Sequence, residues 1–490
     1  MLASRAAVRS FALVTFGCQM NEHDSTRMAE VLRQAGYEEA PGVDQADVIL
    51  VNTCSVRDKA EHKLRSEVGR LVAHKRARPG VVLGVAGCVA QQEGERLLRR
   101  VPELDLVFGP DNIAELPALL AELESGAPPQ VRTVHDLDRP RFLRAEPELG
   151  RAGVTAHVTV MKGCNERCSF CIVPHTRGPE RYRESHEIVD EIARLVGAGV
   201  GEVMLLGQTV NSYRDPAGAL EPAPGAGEAL WTHTHPTSAR QDESELASLL
   251  YRIAREVPGL RRLRYASPHP RHLTMSLIRA HQELPFMVRH VHLPVQSGSD
   301  RVLRRMIRRY SAAEYRERVA ALRAAVPGVT LSTDVIVGFP GETREDFEAT
   351  LELVRELGFV GLFGFKYSER PFTAAQKLAD DVPEDEKAAR LEELFALSDS
   401  IRRAHLEGLV GSIQAVLVEG PGRVGYSGRT EANEIVHFGA ADDPTGELLP
   451  VRVVRAFKNS LEAELTDPRR AAPLGPVAKP SEKRLLPVVI

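Results

Sequence analysis

Three cysteines within eight residues, Cys164-Asn-Glu-Arg-Cys168-Ser-Phe-Cys171, constrain this chain more than any other feature. Thiolates this close together form half a cage for a soft metal centre. A closed structural zinc site takes four ligands. No fourth cysteine stands nearby, and His175 follows only four residues on, in a Pro-flanked stretch. Iron–sulfur clusters are usually tied by four thiolates, so three leave one iron with an open position for a substrate or cofactor.

The chain has 490 residues and six cysteines; the other three are Cys18, Cys54 and Cys88. Their placement follows from the pattern around them. Phe11–Phe16, Asp47–Asn52, Val81–Ala86 and Leu104–Phe108 read as short apolar strands with helical patterns between them. That alternation predicts a parallel, doubly wound sheet. The first three strands each end within two residues of a cysteine, and the carboxyl ends of such a sheet share one edge. Three cysteines spread along the chain are therefore expected to meet there, although each taken singly also fits a small buried hydrophobe.

From 122 to 153 the composition suggests a linker. Six further strands follow, at Thr155–Met161, Glu202–Gly207, Leu263–Ser267, His290–Val295, Thr330–Val337 and Gly361–Tyr367, with helical patterns between them. Six βα units predict a partial (βα)6 barrel whose chemistry lies on the loops after the strands, with the cysteine triple on the first. Five short strands, Ser412–Glu419, Arg423–Gly428, Glu434–Phe438, Leu448–Val454 and Leu461–Leu465, predict a small all-β, OB-like barrel, either a nucleic-acid reader or a purely structural one. The expected domains are 9–123, 150–383 with a mobile insertion at 215–242, and 404–467, with a disordered tail at 468–490.

Composition adds exclusions. Hydrophobic residues make up 43% and charged residues 27%, ordinary for a soluble protein. No apolar run approaches the roughly 20 residues that span a bilayer, so no membrane partner is expected and a cytoplasmic protein is. A net charge of −4 means any nucleic acid is held by local basic patches. Arg301, Arg304, Arg305, Arg308 and Arg309 form one such run, read as a solvated helix face or as phosphate contacts.

Read together, the motifs resemble those of the radical S-adenosylmethionine methylthiotransferases. The cysteine triple has the spacing of the radical S-adenosylmethionine superfamily. Gly17-Cys18-Gln19-Met20-Asn21, Asn52-Thr53-Cys54-Ser55-Val56-Arg57 and Gly87-Cys88-Val89-Ala90-Gln91 are similar to the family's N-terminal domain. His292 to Ser299 and Asp334 to Thr343 are similar to its barrel, and the last barrel resembles its TRAM-type RNA-binding domain. Gln19-Met20-Asn21 and Lys366-Tyr367-Ser368-x-Arg370-Pro371 resemble the branch acting on N6-(dimethylallyl)adenosine in tRNA. Pro179, Tyr182, Thr209 and Phe372 depart from the family's usual residues.

The resemblance implies two [4Fe–4S] clusters and S-adenosylmethionine as cofactors. Cys164, Cys168 and Cys171 would hold the first cluster, which cleaves S-adenosylmethionine to a 5′-deoxyadenosyl radical. Cys18, Cys54 and Cys88 would hold an auxiliary cluster presenting the sulfur. Phe170 is a candidate to pack on the cofactor adenine or a core aromatic; Gln208 and Gly338 are further cofactor candidates, Gly338 serving equally as a turn. Asp24 and Glu61 are weaker candidates, as polar partners near the auxiliary cluster. The implied reaction is methylthiolation of C2 of the tRNA base beside the anticodon. The expected partners are a tRNA carrying N6-isopentenyladenosine, an electron donor and a sulfur source, and a monomer is expected. Rival readings are a threonylcarbamoyladenosine tRNA or a ribosomal protein residue as substrate, and a structural iron–sulfur RNA-binding protein.

Overall fold

The computed structural model describes residues 9–56, 58–137, 140–145, 153–226 and 244–475. Its first unit is a six-stranded parallel sheet. Ser10–Phe16 lies between Glu38–Glu39 and Val48–Thr53, and the sheet continues through Val82–Gly87, Leu106–Phe108 and Gln130–Arg132. Val48–Thr53 is buried on both faces, as its unbroken apolar run requires when helices cover both sides. The chain steps outward from Ser10–Phe16 and then returns to its other side as Val48–Thr53, so the strand order reverses between these two strands. Such a reversal opens a crevice at the carboxyl ends, where Cys18 and Cys54 follow.

The sheet reaches past the expected boundary at 123. Gln130–Arg132, inside the stretch read as a linker, pairs in register with Leu106–Phe108. Three residues bounded by Pro and charge carry too little periodicity to be seen as a strand.

All six strands expected in the second unit form. Thr155–Thr159, Glu202–Leu206 and Arg262–Tyr265 make one parallel sheet, and His290–His292, Thr330–Val337 and Gly361–Lys366 another. A parallel bridge from Leu263 to Met287 links the halves into an open barrel. Helices Ser185–Gly197, Leu246–Glu256, Met275–Glu283, Ala312–Ala325 and Arg344–Leu357 cover it, and one large apolar core runs between strands and helices. Ser311 with Glu314 and Thr343 with Asp346 form reciprocal capping boxes at two of the helix starts.

Of the insertion, Asp215 and Ala223 anchor an otherwise largely exposed stretch through residue 226. Asp215 accepts from the Ser185 amide at 3.0 Å and from Ala219 at 3.1 Å, and Ala223 is buried. Residues 227–243, the rest of that expectation, lie outside the described residues.

Helix Glu384–Gly408 leads to the third unit, a closed barrel of Ile413–Pro421, Tyr426–Arg429, Ile435–Phe438, Ser460–Leu465 and Leu448–Ala456 in that spatial order. It docks on the amino-terminal end of the larger barrel. Arg262 reaches the carbonyls of Arg429 and Ala415, both at 2.7 Å, and Arg264 reaches those of Glu431 and Thr430. The segment after 467 was expected to be disordered. Through residue 475 it packs on this barrel instead: Arg470 pairs with Asp442 and Glu447, and Gly475 accepts from the Gly425 amide at 2.7 Å. Residues 476–490 lie outside the described residues. No helix among the described residues is long and apolar enough to cross a membrane.

The first sheet sits over the barrel's carboxyl-terminal mouth, held by buried charge. Asp111 of the first unit pairs with Arg181 at 2.5 Å and with Lys162 at 3.2 Å, both from the second. Burial works against the Asp111 charge, but His135, Lys162 and Arg181 hold its carboxyl far below the usual carboxylate range. A depressed carboxyl contributes stability that is complete above its unfolded value and lost as pH falls through the folded one. Asp111→Asn is expected to destabilise the protein by about 3–5 kcal/mol near neutral pH, because Arg181 and Lys162 are left buried without their counter-charge. Denaturant unfolding of both proteins checks this; equal midpoints would show that the seam does not depend on Asp111.

Candidate metal centres and cofactor site

The first trio of cysteines is built by the sheet edge. Cys18 caps helix Gln19–Gln34, Cys54 follows Val48–Thr53, and Cys88 opens helix Cys88–Glu93. All three are free thiols, with Cys54 and Cys88 buried. The glycines before two of them answer to crowding. At Gly17 a Cβ would lie 2.7 Å from that of Cys54, and at Gly87, with φ of 90°, one would lie 2.3 Å from Asn52 Oδ1. Each loop thus passes within touching distance of its neighbour, and only glycine fits.

Two asparagines from the motifs lock these loops. Asn21 donates to Asn52 Oδ1 at 3.1 Å, and Asn52 donates to Asn21 O at 2.8 Å and to Ser25 Oγ at 2.9 Å, all buried. The thiols are close enough to interact. A hydrogen bond from Cys54 pushes the Cys18 thiol down to about 6, while that same bond and burial push Cys54 well up. Burial also raises Cys88, against the nearby charge of Arg177.

The second trio hangs from the first strand of the barrel. Met161–Lys162 pairs antiparallel with Arg181–Tyr182, which closes the base of the loop carrying Cys164, Cys168 and Cys171. Cys164 N donates to Gly178 O at 3.1 Å, and Ser169 N donates to Met306 O at 2.9 Å. Gln208 accepts from the Gly163 amide, so it braces the residue before Cys164. Thr209, one of the departures, brings its hydroxyl within 3.0 Å of Cys164 Sγ. Burial pushes both Cys164 and Cys171 up to about 12, with neighbouring cysteines adding to the rise.

Each donor set fits a cluster with one iron not held by protein. All six thiols are free, and N–H groups aim at the sulfurs of Cys54, Cys88 and Cys168, as iron–sulfur ligation favours. Val56 N lies 3.3 Å from Cys54 Sγ, and Arg308 Nη1 lies 3.3 Å from Cys168 Sγ. One further ligand-like group exists: Glu166, His269 and His272 place ligand atoms within 4.8 Å of one another. Arg271 lies 3.4 Å from Glu166, and Arg308 and Arg318 bear on His269. Those charges work against a cation there.

Among the other candidates, Phe170 is half-buried and packs against the cluster of Val302, Met306, Phe339 and Tyr367. Gly338 turns the chain after Thr330–Val337, its amide donating to Glu342, and Lys387 covers its open face. The basic run divides. Arg301 pairs with Asp346, Arg305 donates to Pro340 O at 3.0 Å, and Arg308 is buried on Cys168. Arg301 and Arg304 are exposed, as the run suggested, whereas Arg305 and Arg309 are half-buried. Phe372 adopts a φ of 67°, a left-handed conformation that favours glycine; it costs an L-residue about 1–2 kcal/mol. Its exposed ring lies 6.0 Å from the Arg96 guanidinium and 5.7 Å from the His175 ring.

The residues that the sequence did not assign are those joining the two trios. Arg177 lies 3.2 Å from Cys88 Sγ and 2.6 Å from Asp24 Oδ2. Arg370 contacts Glu61 at 3.4 Å and the Val56 carbonyl at 3.0 Å. Asp24 and Glu61 thus belong to the seam between the units. Arg177 stands in the same Arg-Gly-x-Glu stretch as two of the departures, the one signal that pointed to it.

Comparison with known proteins agrees with this architecture. Residues 10–109 match the family described as "Uncharacterized protein family UPF0004", and 158–354 match the Radical SAM superfamily. A tRNA-2-methylthio-N(6)-dimethylallyladenosine synthase of Sorangium cellulosum (strain So ce56) is 61% identical over 98% of both chains. One of the same name from Bordetella pertussis (strain Tohama I) is 44% identical over 92% of this chain and 97% of its own. Among solved structures, the radical S-adenosylmethionine methyltransferase TsrM of Kitasatospora setae, with cobalamin and a [4Fe-4S] cluster bound, aligns with a TM-score of 0.52. It covers 83% of this chain and 80% of its own at 14% identity, a likeness of fold alone. With both domain matches in place and relatives this similar along nearly its full length, the chain belongs to the tRNA-2-methylthio-N(6)-dimethylallyladenosine synthase family of radical S-adenosylmethionine methylthiotransferases.

Proposed function

We propose that this protein methylthiolates C2 of N6-(dimethylallyl)adenosine beside the anticodon of tRNA, in the cytoplasm and as a monomer. The observation that carries the reading is the meeting of two trios of free thiols at one seam, in a chain of this family. An aromatic C–H offers no acidic proton to a general base, so a cofactor has to carry the chemistry. When bound, a [4Fe–4S] cluster with S-adenosylmethionine would supply the radical that takes the C2 hydrogen, an auxiliary cluster would supply the sulfur, and a second S-adenosylmethionine would supply the methyl group. Balance requires an external one-electron donor and a sulfur source.

The chain's own residues bind and orient. Cys164, Cys168 and Cys171 hold the first cluster, and Cys18, Cys54 and Cys88 the auxiliary one. Gln208 fixes the Gly163 amide and with it the start of the binding loop. Phe170 borders this loop with an apolar surface on which the cofactor's adenine packs. The buried seam around Arg177 and Asp24 would keep bulk water away from the chemistry. Lifting the base out of its loop costs a few kcal/mol, and less from an unpaired anticodon loop than from a duplex.

The docking of the terminal barrel limits how RNA lies. It sits at the amino-terminal end of the larger barrel, and the thiols sit at the carboxyl-terminal end. An RNA touching both therefore runs along the flank for roughly 20 Å or more, given the rise of about 3.3 Å per strand residue.

In a strain lacking this protein, mass spectrometry of tRNA nucleosides is expected to show loss of the 2-methylthio group from isopentenylated adenosine alone, restored by the wild-type gene. Loss from threonylcarbamoyladenosine instead would assign the other tRNA branch. A variant with Cys18, Cys54 and Cys88 all changed to Ala is expected to still release 5′-deoxyadenosine under reducing conditions but to add no sulfur; absence of 5′-deoxyadenosine from the wild type would favour a structural cluster protein. Gln208→Leu strands the Gly163 amide, so it is expected to cost about 1–3 kcal/mol and to speed iron loss from the first cluster in air. Iron retention equal to wild type would remove Gln208 from the site.

A further inference from the structure

We propose that Arg177 is a positioning residue that sets the reduction potential of the auxiliary cluster, with Asp24 as its opposing charge. The inference rests on the two-cluster reading above and goes beyond it by assigning residues other than the cysteines to the second centre.

Arg177 follows Cys171 by six residues, just past the single-turn helix Val173–Thr176. The loop that presents the first trio therefore also delivers a guanidinium to the second. Arg177 Nε points at Cys88 Sγ from 3.2 Å, and Nη2 donates to Asp24 Oδ2 at 2.6 Å. Arg177 is 4% exposed and Asp24 6%, so the interaction is shielded from water and salt. The Arg177 carbonyl accepts from Arg181 at 2.6 Å, which ties the arrangement to the Asp111 pairing.

Adding an electron makes a cluster more negative. An N–H aimed at a ligand sulfur, and a positive charge in a dry site, stabilise that reduced state and raise the potential. Asp24 acts in the opposite sense. The auxiliary centre thus carries a donor and its brake, whereas the first centre differs. Arg308 approaches Cys168 Sγ at 3.3 Å and also donates to Tyr310 Oη at 3.0 Å and Pro294 O at 2.9 Å, both uncharged. Potentials of the two centres are therefore set by different surroundings, and changes at Arg177 or Asp24 act on one of them.

The test is an anaerobic dithionite titration of the full-length protein, followed by electron paramagnetic resonance. A variant with Cys164, Cys168 and Cys171 changed to Ala identifies the auxiliary signal. In R177Q the auxiliary midpoint is expected to fall by about 59 mV, a tenfold lower ratio of reduced to oxidised cluster at a fixed potential for one electron. In D24N it is expected to rise, and R177K is expected to lie between R177Q and wild type. The signal of the first cluster stays in place throughout. If R177Q loses its iron, D24N decides alone, because it keeps Arg177. Shifts of the same sign in R177Q and D24N, no shift in either, or both clusters moving together would overturn the proposal. A wild-type protein with only one titrating signal would instead overturn the two-cluster reading itself.

Discussion

Two sheets meeting by their carboxyl-terminal ends is the constraint on which the rest of this structure depends. Parallel strands put every following loop on one edge. The first unit spends that edge on Cys18, Cys54 and Cys88, and the barrel spends its mouth on Cys164, Cys168 and Cys171. Neither trio alone brings a sulfur to a carbon radical. Facing edges do, and the face-to-face arrangement is held by Arg177 on Asp24, by Arg181 and Lys162 on Asp111, and by Arg370 on Glu61 and the Val56 carbonyl. Buried pairs of this kind add little net stability over an apolar contact, but an unmatched partner is expensive. They therefore tolerate one relative placement of the two units and penalise others.

The same logic explains the glycines and asparagines around the first trio. On the proposed reading, one cluster shared by three loops would require them to pass closer than ordinary side chains allow, which Gly17 and Gly87 permit. Loops so close need polar groups satisfied internally, and Asn21, Asn52 and Ser25 do this for one another. What reads in the sequence as a motif around each cysteine is, in space, one buried hydrogen-bonded unit.

Much of this was legible in advance because it is periodic or local. Alternating apolar strands and helices gave the two α/β units, and turn-bounded short strands gave the terminal barrel. Cysteine spacing within one loop is what suggested an open metal site, and the strand ends placed Cys18, Cys54 and Cys88 on one sheet edge. Long-range polar partnerships were not legible. Arg177 and Arg308 look like any surface arginine until the fold brings each to a sulfur. The run from Arg301 to Arg309 looked like a solvated face, although Arg308 is buried. Short pairing segments without periodicity, Gln130–Arg132 and the stretch from 468 to 475, read as linker and tail because backbone pairing, not side-chain pattern, fixes them. Phe372 was seen as a departure, but that its position demands a left-handed backbone is visible only in the structure.

The central claim, that each trio grips three corners of a cluster and leaves one iron bare, is most directly met by metal analysis of anaerobically prepared protein. The account predicts about eight irons per chain, falling to about four when either trio is changed to Ala. Zinc in place of iron, or about four irons in the unaltered chain, would contradict it.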